Sequence, residues 1–340
     1  MIKPAINKLF PALLTTVLLL IPTVQTVAQA TAALPRVSVK GAHFVLENGD
    51  TLVFRGLSIS DPDKIKSAGR WSKKHFEIIK SWGAQLVRIP VHPAAWRARG
   101  EADYLKMLDE AVQWCTELGM YVVIDWHSIG NLQMELFQDP MYDTTKKETF
   151  TFWRMMARRY GKNPTVAFFE LYNEPTIING ELGQCSWAEW QQLMIQCIDM
   201  VRANGAEAIP LLAGFDWAYD LQPLQFEPIP REGVAYVTHP YPGKNKAPRE
   251  GDWERHFGFA AGRFPIVATE VGFSYDPHGP VPLPDDGIYT KTLLPYLKSK
   301  NISWLAWVFD PSWEPPMLKD WNGTPTAEGE YWRKALLDKP

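Results

Sequence analysis

Val166-Ala-Phe-Phe-Glu170-Leu-Tyr-Asn173-Glu174-Pro175 is an apolar run closed by an amide, a carboxyl and a proline. Apart from Glu170 the run lacks polar alternation, which predicts a strand buried on both faces. Pro175 has no amide hydrogen to give a ladder, so sheet pairing stops there. Asn173 and Glu174 are thereby expected at the rim of a sheet. Working outward, similar runs lie at 51–57, 85–91, 121–127, 210–215, 234–241, 265–271 and 302–309. Between them, 72–82, 102–118, 147–160 and 187–203 read as amphipathic helices that stop at or near glycine. Alternating buried strands and helices imply a parallel sheet covered on its outer face. Eight such units predict an α/β fold of the (β/α)8 TIM barrel type.

Residues 36–54 precede the barrel and carry Asn48-Gly49, a hairpin turn signal, in VLENGDTLVF. This hairpin is expected to close the barrel floor. One connection is atypical: Pro223, Pro228 and Pro230 leave room for only a turn or two of helix between the fifth and sixth runs. Long segments follow several strands, at 128–146, 175–186, 272–287 and 310–329. In a barrel these lie on the C-terminal face, where sites are built. Trp126, Trp217, Trp253, Tyr275 and Trp313 fall near or after strand ends and are candidate platforms for a ligand with apolar faces.

The first 30 residues are set apart from the fold. Lys3 and Lys8 precede an apolar run at 9–21, and Ala28-Gln29-Ala30 offers a small-x-small cleavage site. A signal peptide over 1–30, cut after Ala30, is expected, leaving 31–340 as one catalytic domain that is secreted or periplasmic. The net charge of -3 and the absence of a basic cluster point away from nucleic acid. No membrane association is expected after cleavage, and a monomer is expected. Cys115, Cys185 and Cys197 form an odd set without zinc spacing. Cys115 reads as a small buried hydrophobe, while a bridge between Cys185 and Cys197 is open to an exported chain.

The chemistry-bearing residues sit at the ends of the apolar runs. Glu174 ends the fourth and Glu270, in VATEVGF, ends the seventh. Two carboxyls facing each other across a barrel mouth suit glycosidic cleavage, one giving a proton while the other meets the developing positive charge. Arg88 on the second run can hold a carboxylate ionised. Asp125-Trp-His127 closes the third run, and His239-Pro-Tyr241 the sixth, with His239 and Tyr241 on one face by strand alternation. Trp307 offers an aromatic floor. Arg55 and Glu170, both inside apolar runs, are expected to form a buried pair.

These residues, in this order, resemble glycoside hydrolase family 5, the cellulase family of clan A retaining β-glycosidases, over essentially the whole mature chain. The family's strand-two Arg is matched by Arg88 and its strand-three His by His127. Its Asn-Glu pair is matched by Asn173-Glu174, its His-x-Tyr by His239 and Tyr241, its nucleophile by Glu270 and its strand-eight Trp by Trp307. The resemblance implies a retaining double displacement on a polysaccharide or oligosaccharide of β-1,4-glucan type, with Glu174 as acid/base, Asn173 on the sugar 2-hydroxyl, and no metal or organic cofactor. Xyloglucan, mannan, mixed-linkage glucan and exo action stay open within that class. Two other classes stay open as well: a metal-dependent hydrolase built on Asp125, His127, His239 and Glu270, and a noncatalytic carbohydrate-binding barrel.

Overall fold

The computed structural model describes residues 1, 34–176, 179–276, 278 and 283–338. The expected signal peptide and its cleavage site lie outside the described residues. Eight parallel strands close a barrel: Arg55–Ile59, Leu86–Val91, Tyr121–Trp126, Val166–Glu170, Ile209–Ala213, Ala235–Val237, Ile266–Val271 and Ser303–Phe309. The eighth pairs with the first, Trp304 opposite Arg55, so no edge is left exposed.

Most strands bury every residue, because their outer faces meet helices and their inner faces meet one another. The helices begin where the sequence supplies caps. Thr145 accepts from the Glu148 amide ahead of Lys146–Tyr160, and Ser186 with Glu189 forms a capping box ahead of Trp187–Ala203. Gly119 ends Glu101–Leu118 in the left-handed conformation at φ 65°. Between the fifth and sixth strands stand only Phe215–Ala218 and the 3-10 turn Gln222–Gln225, as the prolines imply.

The first expected run is divided. Thr51–Leu52 pairs antiparallel with His43–Leu46, which pairs with Val37–Lys40, and the barrel strand starts only at Arg55. Phe44 from this small sheet packs on Phe168 of the fourth strand at 5.0 Å, and Phe54 meets Tyr121 and Phe168 at 5.4 and 5.5 Å. Aromatic side chains thus close the floor, leaving the opposite end for polar groups.

One expectation fails, and two open readings are decided. Arg55 does not meet Glu170: it begins its strand at the floor and donates to the carbonyl oxygens of Asp338 at 2.6 Å and Ala335 at 3.4 Å. Glu170 ends its strand at the other end of the barrel. Cys185 and Cys197 are both free thiols, as is Cys115. Cys197 lies ten residues into Trp187–Ala203, about 15 Å along the helix axis from its start beside Cys185, well beyond bridging reach. Trp126 and Trp253 are fully buried core residues and present no ring to a sugar. Trp126 instead gives its indole hydrogen to Thr149 Oγ1 at 3.1 Å.

Candidate active site

Arg88 is the hub. Its strand is buried throughout, so the guanidinium is fully enclosed and must spend its hydrogens on partners. It grips Glu170 bidentately, Nε to Oε2 at 2.7 Å and Nη2 to Oε1 at 3.0 Å. Nη1 donates to Glu270 Oε1 at 2.7 Å and Nη2 to Asn173 Oδ1 at 2.6 Å. Asp125 Oδ2 lies 3.0 Å from Nη2. Carboxylates on all sides hold the Arg88 charge firmly against burial, which alone would weaken it.

Glu270 has both oxygens occupied, Oε1 by Arg88 and Oε2 by the Tyr241 hydroxyl at 2.8 Å. Burial raises its pKa from the ordinary carboxylate value, opposed by His239 and Arg88. Burial and the neighbouring Glu270 hold Tyr241 far above the usual phenol range, so it remains a donor. Glu170 goes the other way: against burial, Arg88 and His239 lower its pKa.

Glu174 is positioned by its backbone. The chain past the fourth strand runs beside the extension of the third, with Asn173 N donating to Trp126 O at 3.2 Å and Glu174 N to Ser128 O at 3.1 Å. Glu174 Oε1 meets His239 Nδ1 at 2.7 Å, and His239 Nε2 meets Thr269 Oγ1 at 2.9 Å. The Thr269 hydroxyl gives its one hydrogen to Glu170 Oε1 at 2.9 Å, so it accepts from His239, whose Nε2 is therefore protonated. The second imidazole proton then lies between Nδ1 and Glu174. Burial disfavours a charged ring, but Glu270, Glu170 and Glu174 outweigh it and raise the His239 pKa to about 9. The sixth strand ends at Val237, so His239 and Tyr241 reach the site through a turn, with Tyr241 N on His239 O at 2.9 Å, rather than by strand alternation.

His127 faces Asp125 Oδ2 through Nδ1 at 2.6 Å. Burial, with His92 and Arg88 nearby, lowers its pKa well below the usual value. The ring is thereby held neutral, with a single proton between its Nδ1 and Asp125, whose own pKa burial raises. It stacks on Trp307 at 5.3 Å and 6°, and Trp307 stacks in turn on Trp313 at 5.9 Å. All eight expected residues, Arg88, His127, Asn173, Glu174, His239, Tyr241, Glu270 and Trp307, therefore converge at the C-terminal mouth. Sequence reading missed Thr269, the Asp61–His92 pair at 3.0 Å, and the part played by Glu170. Glu170 carried a signal, being a charge inside a buried strand level with Arg88. Thr269 carried none beyond its place beside Glu270.

A cleft of about 1000 Å³ opens at the two acids and is lined by Glu174, Trp217, Tyr241, Lys244 and Glu270, among others. One oxygen each of Glu174 and Glu270 and a nitrogen of His239 lie within 4.8 Å of one another. Of the set considered for a metal, only His239 and Glu270 come together among the described residues, and both nitrogens of His239 are committed to Glu174 and Thr269.

A closed parallel barrel with paired buried acids at its C-terminal mouth is the layout of a barrel glycoside hydrolase. The family model Cellulase (glycosyl hydrolase family 5) matches residues 45–312, and the chain belongs to that family. A β-glucanase from Saccharophagus degradans is 44% identical, with a TM-score of 0.87 over 90% of this chain and 94% of its own, and has also been solved with cellotetraose. Endoglucanase A of Butyrivibrio fibrisolvens is 26% identical over 61% of this chain and 46% of its own length. Endoglucanase 5 of Pectobacterium carotovorum is 23% identical over 80% of this chain and 50% of its own. The chain thus spans about half the length of these curated relatives.

Proposed function

We propose that this chain is an exported, retaining endo-β-glucanase that cuts β-1,4-linked glucan by double displacement. The observation that carries the reading is the approach of Glu174 and Glu270 oxygens to within 4.8 Å. Retaining enzymes hold their carboxyls about 5–5.5 Å apart, whereas inverting ones leave roughly 6.5–9.5 Å for a water between. The endoglucanase relatives and the cellotetraose-bound β-glucanase support a glucan substrate.

In the first step a Glu270 oxygen attacks the anomeric carbon, forming a glycosyl ester. The glycosidic carbon–oxygen bond breaks, and its electron pair takes the proton that Glu174 delivers. The proton delivered is the one held between Glu174 Oε1 and His239 Nδ1, so the pair stays one proton short, with His239 neutral and still donating Nε2–H to Thr269, until the second step restores it. In the second step Glu174 takes a proton from water as the water oxygen attacks the same carbon and Glu270 leaves. Arg88 and Tyr241 receive the returning carboxylate charge from fixed positions, without reorganisation. Asn173 Oδ1 is turned to Arg88, and its buried Nδ2 has no partner among the described residues. That unpaired donor suits the sugar 2-hydroxyl, where contacts strengthen toward the transition state. Trp307, backed by His127, supplies the floor.

Export rests on the signal-like first 30 residues. Among the described residues, no helix is long and apolar enough to cross a membrane. Two variants test the assigned roles. Glu270→Ala should lose at least about 10³-fold in turnover and regain part of it with azide, giving a glycosyl azide of inverted configuration. Glu174→Gln should depress cleavage of cello-oligosaccharides far more than that of activated aryl glycosides. Normal cleavage of both substrates by the Gln variant would remove Glu174 from the acid role.

A further inference from the structure

The outer wall of the barrel carries a groove at its floor end that shares no lining residue with the catalytic cleft. It lies between two helices, Tyr289–Ser299 and Ala327–Leu337, over the starts of the first and eighth strands, and holds about 690 Å³. Two contacts fix its walls. The Tyr331 hydroxyl crosses from the second helix to donate to Thr290 O of the first at 2.6 Å. Arg55 ties the first strand to the carbonyl end of the second helix, at Asp338 O and Ala335 O.

Arg55, Lys291, Lys298 and Lys334 line this groove against one carboxylate, Asp338, although the chain as a whole carries a net charge of -3. Lys300, at the cap of the first helix, and Arg333, on the second, have carboxylate partners, Glu254 at 2.6 Å and Glu330 at 3.0 Å. None of the four groove cations has one among the described residues. The carbonyl partners of Arg55 satisfy hydrogens but leave its full charge uncompensated. Lys291 and Lys298 stand two turns apart on one helix face, about 10 Å along the axis, and Lys334 stands on the other helix. Like charges so placed repel one another, and a bound anion relieves the repulsion. Between them the floor is apolar, formed by Leu294, Pro295 and Ile302 with Trp304. Trp304 is 5% exposed, and its indole N–H has no acceptor among the described residues.

We infer that this groove is a second, noncatalytic binding site for an acidic polysaccharide, a chain that bears uronate groups. Cations spread over both walls suit a ligand whose carboxylates recur along its length, whereas a single-headed amphiphile would satisfy one of them. The apolar floor meets the C–H faces of pyranose rings, and the Trp304 N–H supplies a donor to a hydroxyl or carboxylate. A chain bound there would hold the barrel by its floor end and leave the mouth open to a β-glucan.

The test is calorimetric titration of the wild-type chain with polygalacturonate and with alginate, with thermal unfolding and cellotetraose turnover read in parallel. Binding of a polyuronate is expected, and it should weaken between about 0.01 and 0.1 M salt, as the screening length falls about threefold. The double variant Lys298→Glu, Lys334→Glu should weaken it at least about tenfold while unfolding and turnover stay at the wild-type level. The double variant Lys106→Glu, Lys319→Glu changes the net charge equally at exposed positions outside the groove and should bind as the wild type does. Absence of binding to both polyuronates, or equal weakening by the two double variants, would overturn the inference. So would inorganic polyphosphate or anionic-lipid vesicles that occupy the groove as tightly as the polyuronates. The hydrolase reading is judged separately, by turnover.

Discussion

At the residue scale the site turns on where protons sit. His239 titrates at about 9 instead of 6.5, because Glu270, Glu170 and Glu174 outweigh burial. The folded state therefore binds this proton more tightly than the unfolded chain does. The resulting stabilisation is complete below about pH 6.5 and is lost as pH rises through about 9. Thermal unfolding followed from pH 6 to 10 should show a decline across that window that His239→Gln lacks. The alkaline limb of kcat/KM should lie near pH 9 in the wild type, where the His239 ring gives up its proton. It should move away from pH 9 in the variant, which lacks that ring. Matching unfolding slopes and matching limbs would contradict the shared-proton account. The site was legible in sequence because six of its eight residues fall at the ends of apolar runs, the positions a barrel leaves polar, while Arg88 and Trp307 lie inside their runs. The site's pairings were not. Arg88 takes Glu170 and Arg55 does not, because the choice depends on height along the barrel axis, and a one-dimensional pattern records only that both charges lie in buried strands.

At the element scale, strands and capped helices followed local chemistry, while the edges of elements followed tertiary contacts. The run at 51–57 was divided because Phe54 turns into the barrel floor and hands the chain from the small sheet to the first strand. The sixth strand is only Ala235–Val237, as its continuation is needed to carry His239 and Tyr241 across the mouth. The candidate platforms sorted by burial that sequence could not foresee: Trp126 and Trp253 serve the core, Trp217 lines the cleft, and Trp313 stacks half-buried on Trp307. The small N-terminal sheet has a definite energetic role. Phe44 is 2% exposed and packs on Phe54 and Phe168 at the floor. Phe44→Ala should cost about 3–5 kcal/mol of stability, measured by denaturant unfolding. Its kcat at temperatures where it stays folded should match the wild type, because the floor and the mouth lie at opposite ends of the strands. A large loss of kcat in the folded variant would show that the floor also shapes the site.

At the scale of the whole molecule, barrel closure brings together groups from distant stretches of chain. Arg88 and Glu270 are 182 residues apart in sequence yet 2.7 Å apart in space. Closure also sets the gap between the two acids, and that gap decides the stereochemistry. A short gap leaves no room for water between Glu270 and the sugar, so the carboxylate itself must attack. The most direct measurement is proton NMR of the first sugar released from a cello-oligosaccharide, recorded before mutarotation. The account predicts the β anomer at the new reducing end, from two successive inversions. The α anomer as first product would mean that water attacked in a single displacement, and would contradict the proposed nucleophilic role of Glu270.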